Sequence, residues 1–486
     1  MTNTPHSRGT LALCLLLTWL ATTTTSQAEK VALSSENWGN PEGKACIDCH
    51  SKSSPGIVRQ WKDSAHAASK VNCLDCHHAD PEDDDAKEHE GAIISTIVSP
   101  LDCGRCHTVE YQQAAGSVHS KARMPVEASG GPDSPIHTFT TTGSCDDCHG
   151  SRVTVQGDGR LSSASWPNSG IGRINPDGSL GSCSACHSRH QFSRAQARDP
   201  GSCTTCHSGL DSPDAEIYQT SKHGILFTVH RNQMNLDSDQ WVTGTDYGAA
   251  PTCATCHMGA APGLKATHDV GMRDAWNLYG PVSERQHLVV FQDGERINLP
   301  VSQPAPRRGA DLEKPAGSLG KVKVVADPKR RRQAMIKACI ECHSKGYIEG
   351  VLQQFDHLVE RYNMEFGRPA KAIMDALYGS KLLSETPFDE PLEFTYRRLW
   401  RDAGIRARHG AAMNSANATW WEGLNAVSRI FYESFIPQML EVAGERKGRE
   451  LLAKHVTNIA AHRWLQEIPP VNNPVSDGKS ATPAGE

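Results

Sequence analysis

Eight copies of one pentapeptide, Cys-x-x-Cys-His, constrain this chain more than any other feature. They stand at Cys46-Cys49-His50, Cys73-Cys76-His77, Cys103-Cys106-His107, Cys145-Cys148-His149, Cys183-Cys186-His187, Cys203-Cys206-His207, Cys253-Cys256-His257 and Cys339-Cys342-His343. Two thiols at this spacing can each form a thioether with one vinyl group of a haem. The following imidazole can then reach the iron as proximal ligand. Paired cysteines also serve zinc sites and redox dithiols, but eight copies all ending in His leave little room for either. The expectation is eight covalently bound c-type haems in one multihaem cytochrome.

The remaining cysteine supports that count. Of 17 cysteines, only Cys14 lies outside the motifs, inside the apolar run Leu11 to Leu20. Arg8 precedes that run and the small residues Ser26 and Ala28 follow it, as in a secretory signal peptide cut after Ala28. Residues 1–28 are read as that signal. With haem attached outside the cytoplasm, the expected compartment is the periplasm. No other stretch is long and apolar enough to span a bilayer. A net charge of -5 suggests no nucleic-acid partner.

Residues 29–280 hold seven motifs at irregular intervals, separated by segments rich in Gly, Pro, Ser and Asp. This is no solenoid repeat. There is little periodic apolar pattern, so the haems must serve as the core around which short helices and loops pack. Residues 281–335 read as a hairpin and linker insertion. His287 to Phe291 and Glu295 to Leu299 flank a turn at Asp293-Gly294, and a loose Gly- and Lys-rich stretch follows. Residues 336–468 carry the last motif and then apolar residues at helical spacing. One stripe is Val351, Leu352, Phe355, Leu358, Val359 and Tyr362; another is Trp421, Leu424, Val427, Ile430, Phe431 and Phe435. Pro437 is expected to break the last helix. Residues 469–486 read as a polar, disordered tail. The fold class is mainly α: a haem-packed N-terminal part followed by long helices.

Several stretches resemble the octahaem hydroxylamine oxidoreductases. They are Trp166 through His190, Ile217-Tyr218 with Ser221-Lys222-His223-Gly224, Thr267-His268-Asp269, Tyr362-Asn363 and Arg408-His409-Gly410. The resemblance implies seven haems with two axial histidines and a fourth haem, held here by Cys145, Cys148 and His149, with an open distal side for the nitrogen substrate. It implies a distal pocket of His268, Asp269 and a tyrosine, Tyr362 ahead of Tyr347. It also implies a homotrimer joined through the C-terminal helices. His268 suits proton transfer near neutrality. The plainer alternatives are that His268 is another distal ligand and that Tyr362 is a core tyrosine.

Seven distal ligands must come from 14 histidines, the 23 of the chain less eight in motifs and His6 in the signal. The chosen set is His66, His78, His89, His119, His190, His223 and His409, with His137 able to replace His89. In the oxidative members of the family a C-terminal tyrosine from a neighbouring subunit is joined covalently to the catalytic haem. Here no tyrosine follows Tyr432, which resembles the members that run as reductases. The expected reaction is reduction of nitrite or hydroxylamine to ammonia, fed by a cytochrome or a quinol-linked membrane partner. The alternatives are a hydroxylamine or hydrazine dehydrogenase, and a non-enzymatic electron conduit with every iron saturated by histidine.

Overall fold

A Cys-x-x-Cys-His segment can form one helical turn if the residue before it caps the free amides. Asn72 does this for the helix Cys73–His77, accepting from Leu74 N and Asp75 N, while the Asp75 carboxylate accepts from Asn72 N. Thr252 and Thr255 make the same reciprocal box for Cys253–His257. In both, the second residue between the cysteines supplies the return bond. Ser99 with Asp102 caps Pro100–Gly104, which carries Cys103, and Asp199 caps Pro200–Thr204, which carries Cys203. In these four motifs the turn is capped by its own neighbours, which fixes the cysteines and the histidine relative to one another.

The computed structural model describes residues 41–123, 145–291, 296–303 and 322–467. The expected signal peptide, His137, the turn at Asp293-Gly294 and the polar tail lie outside the described residues. Short helices and loops carry the motifs, and the described fold is mainly α. Strands β1 (Lys87–His89) and β2 (Ala92–Ile94) form a small hairpin. Strands β3 (Trp276–Asn277), β4 (Glu284–Phe291) and β5 (Arg296–Pro300) are antiparallel neighbours, with His287 opposite Leu299. A further strand, β6 (Val322–Ala326), pairs with the other edge of β4. Sequence reasoning placed that strand in loose linker. Its Val-Lys-Val-Val alternation is the signal that could have found it.

The C-terminal part is built from long helices. Lys345–Tyr362 runs through a wider π turn, Asn363–Gly367, into Arg368–Gly379. Pro391–Arg397 continues likewise into Gly404–Ala412. The last begins at Ala416 and reaches Ala443, and it passes Pro437 without breaking. The π turn Ile430–Phe435 lies just ahead of that proline, so the ring and the missing N–H fall where the ordinary i to i−4 ladder has already been relaxed. The break comes instead at Gly444, whose φ of 72° favours glycine. Tyr362, Ile373, Leu377, Leu399, Phe431, Phe435 and Met439 close one apolar core between these helices. Among the described residues, no helix is long and apolar enough to cross a membrane.

Candidate haem sites and histidine pairs

A proximal histidine must keep Nε2 free for iron, and an acceptor on Nδ1 fixes that tautomer and the ring orientation. His77 Nδ1 lies 2.8 Å from Ser95 O, and His149 Nδ1 lies 2.7 Å from Ala122 O. His207 Nδ1 lies 3.0 Å from Ser212 Oγ and 3.1 Å from Asp214 Oδ2. All three rings are held for ligation by acceptors far from the motif turn or just beyond it.

Six motif histidines face a second imidazole. The ring-centre separations are 6.2 Å for His50 with His89, 6.3 Å for His77 with His190 and 6.0 Å for His107 with His66. They are 6.5 Å for His187 with His268, 6.1 Å for His207 with His119 and 6.0 Å for His343 with His223. Two metal–nitrogen bonds of about 2 Å each, plus about 1 Å from each nitrogen to its ring centre, give about 6 Å. The pairs therefore stand at the spacing of two imidazoles sharing one iron. Burial pushes His119 and His187 down to about 4, so both are neutral donors at ordinary pH. Ile57, Val109, Val229 and Ile340 are exposed apolar residues of the motif-bearing part, as expected of walls that a large flat cofactor would cover. The residues present fit bis-histidine haem.

Five residues of the expected distal set, His66, His89, His119, His190 and His223, are thus each brought opposite a motif histidine. His78 is not: it caps the helix Cys73–His77 and is exposed. His268, expected in the substrate pocket, faces His187 instead. Among the described residues no ring is paired in this way with His149 or His257. Asp269 is buried, with Arg296 at 3.9 Å and Oδ2 lacking a hydrogen bond, and burial pushes its carboxyl up to about 6. Tyr362 is fully buried between the C-terminal helices. Its hydroxyl donates to Pro281 O at 3.2 Å and its ring lies under the Arg408 guanidinium at 4.2 Å. Packing and that cation–π contact account for it as a core tyrosine.

The fourth motif sits in a cradle of backbone. The segment Trp166 to Arg173 lies directly on it, with Ile171 N donating to Cys148 O at 3.0 Å. A Cβ on Gly170 would stand 2.1 Å from Gly150 N, and one on Gly172 would stand 2.7 Å from His149 O. Buried Arg173 locks the segment through Asn175 Oδ1 at 2.7 Å and Asn168 O at 3.2 Å. These contacts explain the Asn-Ser-Gly-Ile-Gly-Arg run: its glycines let two stretches of main chain meet.

His409 is buried, and Asp214 Oδ1 lies 2.6 Å from its Nδ1. Its Nε2 is buried with no hydrogen bond, the state of a ligand nitrogen that awaits a metal. Asp214 thereby joins His409 to His207. Burial alone would raise its carboxyl, but the two imidazoles hold it well below the usual carboxylate range, and the bond to Asp214 holds His207 above its ordinary value. Tyr279 packs edge-on to His409 at 4.8 Å. Sequence reasoning did not single out Asp214, Ser212 or Tyr279, because none carries a motif.

The cysteines show which motifs adjoin. Cys103 and Cys183 are close enough to hydrogen-bond, as are Cys203 and Cys253, and Cys148 and Cys206. Cys46 lies near Cys73, Cys76 near Cys106, Cys186 near Cys203, and Cys256 near Cys339. The order in space is first, second, third, fifth, sixth, seventh, eighth, with the fourth motif attached at the sixth.

These features define a multihaem c-type cytochrome with covalently bound haems. Residues 69–286 match a family described as "Seven times multi-haem cytochrome CxxCH". The chain is similar to a probable nitrite reductase-hydroxylamine oxidoreductase fusion protein of Kuenenia stuttgartiensis, with 26% identity over 377 residues. That match covers 71% of this chain and 39% of the relative, so the chain spans well under half of that protein. A solved structure described as a hypothetical multiheme protein matches with a TM-score of 0.67 and 27% identity, over 83% of this chain and 96% of that one. The fold is also that of a Kuenenia stuttgartiensis reducing HAO-like protein complex, with a TM-score of 0.56 and 19% identity, over 85% of this chain and 86% of that one.

Proposed function

We propose that the chain is an octahaem oxidoreductase that reduces nitrite or hydroxylamine to ammonia at the haem of the fourth motif. The observation that carries this reading is the backbone cradle that sets the fourth motif apart, with Ile171 N bonded to Cys148 O and Gly170 and Gly172 packed on Gly150 and His149, beside six motif histidines that each face a second imidazole. In it, His268 is a distal ligand rather than a proton donor. His409 supplies a seventh ligand through its unpartnered Nε2. Bound at the eight motifs, haem supplies one-electron storage and transfer, with an open iron position at the fourth. The chain's own contribution is to steer the ligand rings through their Nδ1 acceptors. It also clamps the fourth motif between Gly150, Gly170 and Gly172, and the sixth motif adjoins the fourth.

The reductive direction is supported by Tyr432, the tyrosine nearest the C-terminus. Its hydroxyl lies 2.6 Å from His462 Nδ1 of the same chain, and its ring packs on Phe366, Phe431 and Trp464. So held, it is not presented to a neighbouring subunit's haem. The compartment in this reading is the periplasm, and the electron donor a soluble cytochrome or a quinol-linked membrane cytochrome. The assembly is a homotrimer using the exposed Trp420 and Trp421 face. A second reading is a saturated electron conduit, in which every iron, the fourth included, takes two histidines.

Electron paramagnetic resonance of the oxidised protein tests the choice. A high-spin signal alongside the low-spin ones, with ammonia formed from nitrite under a reduced dye, is expected. Eight low-spin haems with no turnover would establish the conduit. Fast hydroxylamine oxidation with negligible nitrite reduction would reverse the direction.

A further inference from the structure

We infer that Asp214 is a positioning residue that makes His207 a strongly donating iron ligand and so sets the potential of the sixth haem, at the junction where the fourth attaches. The inference rests on the reading of His207 as a proximal ligand. Four groups converge on this one carboxylate. His207 Nδ1 lies 3.1 Å from Oδ2 and His409 Nδ1 lies 2.6 Å from Oδ1. Ser212 donates to Oδ2 at 2.9 Å and Tyr279 does so at 3.3 Å. Separate stretches of chain supply them: the sixth motif, the loop that follows it, the segment after β3 and the helix Gly404–Ala412. Such convergence fixes the carboxylate's place to within a hydrogen bond.

The other motif histidines are treated differently. His77 and His149 donate to the neutral carbonyls of Ser95 and Ala122. His257 Nδ1 stands 3.5 Å from Asp274 Oδ1, at the outer limit of a hydrogen bond. A carboxylate draws the Nδ1 proton more strongly than a carbonyl does. It therefore pushes electron density through the ring to Nε2, which favours ferric over ferrous iron and lowers the potential. The location gives this a consequence. Cys206 adjoins Cys148, and Cys203 adjoins both Cys186 and Cys253, so the sixth motif touches the fourth, fifth and seventh. A low potential at this node would make it a strong donor to the fourth haem once reduced, and it would fill late when electrons enter from either end.

The test is a spectroscopic redox titration of the intact holoprotein. Asp214→Asn should move the midpoint of a low-spin haem in the positive direction by at least tenfold in the reduction equilibrium, about 59 mV for one electron. Tyr279→Phe should move a midpoint in the negative direction, because the carboxylate loses a donor that competes with His207 while the ring against His409 is kept. No displaced midpoint in either variant, with haem content and low-spin signals intact, overturns the inference, and so does the opposite sign in either. If Asp214→Asn fails to retain haem, the sign of the Tyr279→Phe shift decides alone. The ligand reading fails separately: His207→Ala that leaves every low-spin signal unchanged would refute it.

Discussion

Replacing Gly170 by Ala isolates the cradle around the fourth motif. The new methyl carbon would stand 2.1 Å from Gly150 N, 2.3 Å from Gly150 Cα and 2.4 Å from Asp146 O. All three are main-chain atoms, and Asp146–His149 is the helical turn that carries Cys148 and His149. No side-chain rotation relieves the clash. Overpacking of an ordinary core costs about 1–3 kcal/mol, and a contact against backbone alone belongs at or above the top of that range. The strain can be released only by lifting the Trp166 to Arg173 segment off the motif. That would also break the bond from Ile171 N to Cys148 O. A chain with covalent cofactors does not unfold in a simple two-state manner, so the readout should be local. The haem count by intact mass and the high-spin signal assigned to the fourth haem should both fall in Gly170→Ala. Gly157→Ala, where a Cβ meets nothing within 4 Å, should leave both unchanged. Full haem content with an undisturbed high-spin signal in Gly170→Ala would refute the cradle.

Three further outcomes are expected. His462→Phe removes the partner of Tyr432 Oη and of Glu365 O, both at 2.6 Å; it should destabilise the C-terminal helices by about 2–4 kcal/mol, read as earlier loss of helix on heating. Asp356 accepts from Trp276 Nε1 at 2.9 Å and Arg285 at 3.0 Å and is paired with Arg332. Burial opposes its charge, yet these bonds hold it below the usual carboxylate range. Its contribution is therefore present above the unfolded carboxyl value and lost as pH falls through the lower folded one. Asp356→Asn should cost about 2 kcal/mol near neutrality and nothing in strong acid, as chemical denaturation at several pH values would show. Trp421→Glu, on the exposed Trp420 and Trp421 face, should reduce the assembly to monomers by mass photometry; an unchanged mass would remove that face from the interface.

The eight motifs were legible because covalent chemistry dictates their spacing, and the long helices because their apolar residues recur at three and four. The distal partners were not legible in the same way. His190 follows the fifth motif yet faces His77 of the second, and His66 precedes the second yet faces His107 of the third. Nothing local encodes such crossings, which depend on how loops return across the haem stack. His268 was assigned through resemblance to a pocket, whereas its ring stands opposite His187. The sequence neighbourhood of Tyr362 matches the family, but its hydroxyl is consumed by Pro281 O inside the helical core. Pro437 was given its usual meaning as a helix breaker. A preceding π turn removed the conflict, and no composition rule reports such a turn.

Tyr432 ties these threads to chemistry. A phenol that is to bond to a haem in another subunit must leave its own hydrogen bond, and must do so from a site that its neighbours leave open. Here the hydroxyl is held by His462, and His462 is fully buried with its other ring nitrogen 2.6 Å from Glu365 O. Phe366, Phe431 and Trp464 enclose the ring. Swinging the phenol out would leave a buried imidazole nitrogen without its partner, at about 1–3 kcal/mol, and would open a hole between helices that otherwise pack closely. The Tyr432–His462 pair is thus a structural lock, and a lock of this kind argues against a cross-linked haem. In the reductive reading proposed for the chain, the fourth haem carries no such link. The absence of a third peptide on the fourth haem after proteolysis is the corresponding observation to seek.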